Sequence, residues 1–74
     1  MELILKLSSF DDIKQFIEIT SRYEETLSLK NGRYVVDAKS ILGIFSMDLS
    51  QPIHLICADE NDALKRELQP FFAA

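Results

Sequence analysis

Asn31-Gly32 stands between two short runs of strand-forming character, Thr26-Leu27-Ser28-Leu29-Lys30 and Arg33-Tyr34-Val35-Val36-Asp37. No other pair of residues restricts the fold as much. Asn-Gly between two such runs is the strongest short-range hairpin signal, because both central positions favour positive φ and the resulting twist suits the strands it joins. Two antiparallel strands are therefore expected, over 26–30 and 33–37.

The other elements follow from periodicity. Leu3, Leu5 and Leu7 share one face of an alternating run, with Ile4 and Lys6 opposite, which predicts a first strand over 3–7. Ser9 followed by Asp12 is a weak capping box, and Asp11 and Asp12 suit the positive end of a helix dipole. Phe10, Ile13, Phe16, Ile17 and Thr20 then recur at helical spacing, so an amphipathic helix is expected from about Phe10 to Arg22. A second, short helix is expected from Ser40, as its cap, to about Met47. Ile41, Leu42, Ile44, Phe45 and Met47 are too many apolar groups for so short a helix to bury, and a cluster left outside is a contact site.

Ile53-His54-Leu55-Ile56-Cys57-Ala58 reads as a fourth, central strand. Alternation groups Ile53, Leu55 and Cys57 on one face; which face looks inward is open at this point. Asp59 to Asp62 form an acidic cap region ahead of a helical stripe of Ala63, Leu64, Leu68 and Phe71 or Phe72. Pro70 should end or kink that helix, with one or both phenylalanines folding back on the core. The order β-α-β-β-α-β-α is a two-layer α+β arrangement in a single domain spanning 1–74.

Seventy-four residues bury only about 60% of the surface the unfolded chain exposes, so the core is small. A formal net charge of −4, with no basic run, argues against nucleic acid or an anionic membrane as partner. The one cysteine, Cys57, excludes an internal disulfide and fits a reducing compartment; it lacks a local base and reads as a small buried group. No stretch approaches the length needed to span a bilayer and the N-terminus lacks a signal-peptide layout, so the expected location is cytoplasmic. No metal or cofactor is expected: Asp59, Glu60 and Asp62 have no EF-hand spacing, and neither Gly32 nor Gly43 belongs to a phosphate-cradling loop.

Val36-Asp37-Ala38-Lys39-Ser40-Ile41-Leu42-Gly43-Ile44-Phe45-Ser46-Met47 resembles the segment around the regulatory serine of HPr, the histidine-containing phosphocarrier of the bacterial sugar phosphotransferase system. The resemblance runs by element order from Leu3 to about Phe72, and Lys39-Ser40-Ile41-Leu42-Gly43 is its most specific part. It implies a four-stranded antiparallel sheet in spatial order 1-4-2-3 with helices on one face. It would also turn Ile56 inward. Such carriers hold phosphate on a histidine capping the first helix, in a His-x-Arg-Pro pattern. Aligning Ser21-Arg22-Tyr23 with the end of that helix puts Ser9 at the histidine, Asp11 at the arginine and Asp12 at the proline, behind a shorter entering loop.

The nucleophile is thus replaced and the charge inverted, and two carboxylates at the helix start repel a phosphoryl group. No catalytic residue is expected here. The favoured reading is a binding or regulatory module that docks through Phe10, Ile41, Leu42 and Phe45 to components of the phosphotransferase system or an HPr-type serine kinase. Ser40 is the candidate for phosphorylation, with Lys39 beside it. The alternative is a working carrier using His54 or a serine as acceptor, although a mid-strand His54 is more simply a structural residue. A third reading is a homodimer joined through Ile41 and Phe45.

Overall fold

The computed structural model describes residues 1–73. Four strands, β1 (Glu2–Leu5), β2 (Leu27–Asn31), β3 (Tyr34–Asp37) and β4 (Ile53–Cys57), form an antiparallel sheet in order β1-β4-β2-β3. The helices are α1 (Phe10–Thr20), α2 (Ile41–Phe45) and α3 (Asp62–Glu67), and a 3₁₀ turn at Gln69–Phe71 follows α3. The expected two-layer α+β fold and strand order are both present.

Register explains the layering. Leu3, Leu55, Leu29 and Val36 are directly opposed in one row across all four strands. The pairs Leu5–Ile53 and Leu27–Cys57 extend that face. Ile13 and Phe16 of α1, Ile44 of α2, Leu64 of α3 and Leu68 complete a single cluster with it. The other face carries Glu2, Ile4, Lys30, His54 and Ile56 and stays at least partly exposed. The inward set of β4 is thus Ile53, Leu55 and Cys57. Ile56 lies on the outer face, 39% exposed, contrary to the orientation the family resemblance implies. Period two admits no compromise: with Leu55 and Cys57 inside, Ile56 is outside.

Several boundaries differ from expectation. β1 stops at Leu5 because its partner β4 begins at Ile53, after Pro52. Lys6 N–H turns instead to Phe71 C=O at 2.7 Å, and Leu7 is buried without a strand partner. α1 ends at Thr20: Thr20 and Ser21 hydroxyls both donate to Ile17 C=O, which competes with further helical turns.

The hairpin turn falls one residue later than the Asn-Gly pair suggests. Asn31 closes the ladder opposite Tyr34, leaving Gly32-Arg33 as the loop. Gly32 has φ of 61° and, among the described residues, no non-glycine residue has positive φ, which is the pattern of a II′ turn with glycine first. The strand register decides this: Leu27 and Leu29 must face inward, so Asn31 is held in β2, where its side-chain amide donates to Asp48 C=O at 2.7 Å. β3 accordingly starts at Tyr34 rather than Arg33.

Past Pro70 the chain folds back as expected. Phe71 is buried, Phe72 is half-buried and bridges to Leu5, and Ala73 N–H donates to Ile4 C=O at 3.0 Å. This segment occupies the outer edge of β1.

Gly32→Ala should lower stability by about 1–2 kcal/mol, the cost of a left-handed backbone on a residue with a Cβ. Urea unfolding would show a reduced midpoint with an unchanged slope.

Candidate functional site

The start of α1 is built from Ser8, Ser9 and Asp12. Ser9 is extended (φ −135°, ψ 164°) and its hydroxyl accepts from Asp12 N–H at 3.1 Å. The return arm does not close on Ser9, as a capping box would. Asp12 Oδ2 accepts instead from the N–H and hydroxyl of Ser8, each at 3.1 Å. These bonds, the Ser8 N–H foremost, hold the Asp12 carboxyl below its ordinary range. Ser9, which the resemblance would set at a histidine position, serves here as a helix cap. Of the amides around the cap, those of Ser8 and Asp12 already have side-chain partners.

Immediately after the cap, Phe10 is 61% exposed and stacks on Phe45 of α2, with ring centroids 5.9 Å apart and planes at 21°. That is the offset-stacked range for aromatic pairs. Leu42 is 81% exposed, and Ile41 and Phe45 are also exposed. Ile44 and Met47 are the members of this helix region that turn inward. The split follows from length. α2 has five residues, so one narrow stripe can reach the sheet and its remaining apolar side chains face outward. The structure thus brings Phe10 and Phe45 together from helices 35 positions apart in the chain.

Ser40 caps α2 as expected, with its hydroxyl accepting from Gly43 N–H at 3.1 Å. Gly43 permits a close approach: a Cβ there would lie 3.1 Å from Val36 Cβ and 3.2 Å from Ser40 Oγ. Lys39 does not lie ready for a phosphate on Ser40. Its ammonium donates to the carbonyls of Tyr23 and, at 3.3 Å, Glu25, satisfying orphan groups beyond the end of α1.

Cys57 has a base that only the tertiary structure supplies. Its thiol donates to Glu25 Oε2 at 2.9 Å, and Asn61 donates its amide to Glu25 Oε1 at 2.6 Å while capping α3. The hydrogen bonds from Cys57 and then Asn61 pull the Glu25 carboxyl below its ordinary range. Burial, and then that carboxylate, push the Cys57 thiol up, so the group stays protonated and unreactive. His54 lies on the outer sheet face, where its Nδ1 bonds the Glu2 carboxylate and Lys30 is its cross-strand neighbour. The sheet separates it from Ser9 and Ser40.

The Asp12 interaction gives a pH signature. Its folded pKa is depressed, so its contribution is fully present above the ordinary carboxylate pKa and is lost as pH falls through the lowered value. The stability advantage of wild type over Asp12→Asn should therefore be larger at neutral pH than at pH near 2, as read by urea unfolding at both.

No family model matches the chain, and no curated protein matches it. It is similar to a solved structure, HPr-C-His from Thermoanaerobacter tengcongensis, with a TM-score of 0.75 and 21% identity over 92% of this chain and 85% of that one. Sheet order, helix placement and this likeness agree: the chain has the HPr-like fold.

Proposed function

We propose that this chain is a single-domain, HPr-like protein-interaction module that does not carry phosphohistidine and docks through Phe10, Ile41, Leu42 and Phe45. One observation carries the reading. The Phe10–Phe45 stack and the outward Leu42 put apolar surface at the start of α1 and along α2, beside a first turn that carries two carboxylates. Desolvating aromatic and aliphatic groups of this kind is how interface hot spots form. The acids Asp11 and Asp12, in the first turn of α1, oppose a phosphoryl group at the same place.

The partner class that goes with this reading is a component of the sugar phosphotransferase machinery or an HPr-type serine kinase, in the cytoplasm. Modification of Ser40 by such a kinase belongs to the same reading, with the phosphate compensated by backbone N–H groups rather than by Lys39. The competing reading is a carrier that uses His54 or a serine. His54 has Lys30 as a cross-strand cation but is already paired with Glu2.

Phosphoenolpyruvate and the upstream enzyme of the phosphotransferase system should leave no acid-labile phosphate on this chain, with ordinary HPr labelled in the same reaction. Stoichiometric label would overturn the reading, and its loss in His54→Ala would transfer the role to that residue. Leu42→Asp should change stability by no more than about 0.5 kcal/mol. It should weaken capture by the upstream enzyme or the kinase about tenfold or more, as measured by calorimetry. Incubation with active kinase should add one phosphate to wild type and none to Ser40→Ala, a variant that loses about 1 kcal/mol of capping.

A further inference from the structure

The sheet has two edges, and they are treated differently. The segment Phe71–Ala73 lies along β1, bonded to Lys6 and Ile4. Among the described residues, no strand pairs with the outer edge of β3. Edge strands left this way commonly carry a lysine, a proline or a bulge that discourages pairing. β3 reads Tyr-Val-Val-Asp, with Tyr34 61% and Val35 63% exposed.

Ladder parity identifies the free backbone groups. Ala38 N–H donates to Leu27 C=O at 2.9 Å, so Leu27–Ala38 is a hydrogen-bonded pair. Alternation then makes Leu29–Val36 and Asn31–Tyr34 hydrogen-bonded pairs as well. Val35 and Asp37 consequently direct their N–H groups away from β2, and Val35 directs its C=O the same way. Asp37 C=O accepts from Ser40 N–H at 3.0 Å and keeps one lone pair.

We propose that two copies of this chain associate through β3, antiparallel, about a two-fold axis at Val35. The side chains favour this occupant over a foreign peptide because the strand is complementary to itself. With Val35 opposite its own copy, Arg33 of each chain, the turn residue that precedes β3, comes level with Asp37 of the other, so the two ends of the contact each bring together opposite charges. On the inner face Tyr34 falls opposite Val36, an aromatic on a β-branched residue, twice. No like charges oppose one another in this register. Shifting it by two residues breaks both charge pairs, so charge selects the alignment as well as the partner. The result is an eight-stranded sheet with isologous contact. The shared edge is only four residues long, so the contact falls in the weak, transient size class and the equilibrium is concentration-dependent. The contact uses the backbone edge of β3, whereas the Phe10–Phe45 patch is made by α1 and the outward side chains of α2, which itself packs on β3 at Val36.

Sedimentation equilibrium of the full chain from micromolar to millimolar concentration tests this, with amide exchange at both extremes. The expected result is a mass rising from one chain toward two, with the amides of Val35 and Asp37 slowing as it rises. Arg33→Asp and Asp37→Arg should each weaken self-association about tenfold or more, through like-charge juxtaposition. An equimolar mixture of the two variants should restore it, because the charges are then opposite at both positions. Val35→Pro, allowed on an edge strand whose N–H faces solvent, should abolish it with the circular dichroism spectrum retained. A single-chain mass throughout would overturn the proposal and leave the edge to a peptide from another protein. Self-association that survives both charge variants, or that Leu42→Asp removes instead, would also overturn it.

Discussion

The Leu29–Leu55 contact at the middle of the sheet is the constraint from which the other placements follow. Both residues are fully buried, and they lie in the row that joins all four strands. With those two inward, β2 and β4 have no freedom of register, since a one-residue slip would send every apolar side chain of either strand to the outer face. The position of the hairpin turn, the outward direction of Ile56 and the exposure of His54 are consequences. One sheet face alone is covered, so the core is a single layer of side chains between sheet and helices.

That thin core explains the apolar surface near α2. A helix of five residues laid on a face already served by α1 and α3 contributes Ile44, with Met47 following, and has no room for Ile41, Leu42 or Phe45. Burying a large aliphatic or aromatic side chain is worth about 1.5–3 kcal/mol, so leaving several outside forgoes a considerable stabilisation in a chain of this size. The Phe10–Phe45 stack recovers a fraction of it within the monomer. Beside the stack, the Ser9 hydroxyl caps α1 at the Asp12 N–H while the Asp12 carboxylate holds Ser8, and together they add local stability to the start of the helix.

Much of this was legible in the chain order. Alternation in Leu3-Ile4-Leu5 and in Leu27-Ser28-Leu29, the serine caps at Ser9 and Ser40, and the stop at Pro70 are all local signals with local causes. The hairpin was legible too, but its turn lay one residue on, because the leucine register outweighed the conformational preference of Asn31. The surplus of apolar residues after Ser40 foretold exposure; which of them would turn inward did not follow, since that depends on the direction from which α2 meets the sheet. Glu25 gave no signal. It sits in a connecting segment, and its importance arises because Cys57 and Asn61, more than thirty positions later, converge on its carboxylate. Lys39 misled for the same reason: adjacency to Ser40 in sequence suggested a phosphate partner, while the carbonyls of Tyr23 and Glu25 claim its ammonium in space.

By itself the sequence determined the kind and order of the elements, the residues that cap them, and the absence of imidazole and guanidinium at the start of α1. These are properties of neighbours within a turn or a strand repeat, where covalent geometry sets the distances. Tertiary structure alone decided which face of β4 is wet, that Phe10 meets Phe45, that Cys57 faces a carboxylate, and that β3 keeps an open edge while β1 does not. Those outcomes depend on contacts between segments distant in the chain, whose separations are set by packing around the shared core rather than by spacing along the backbone.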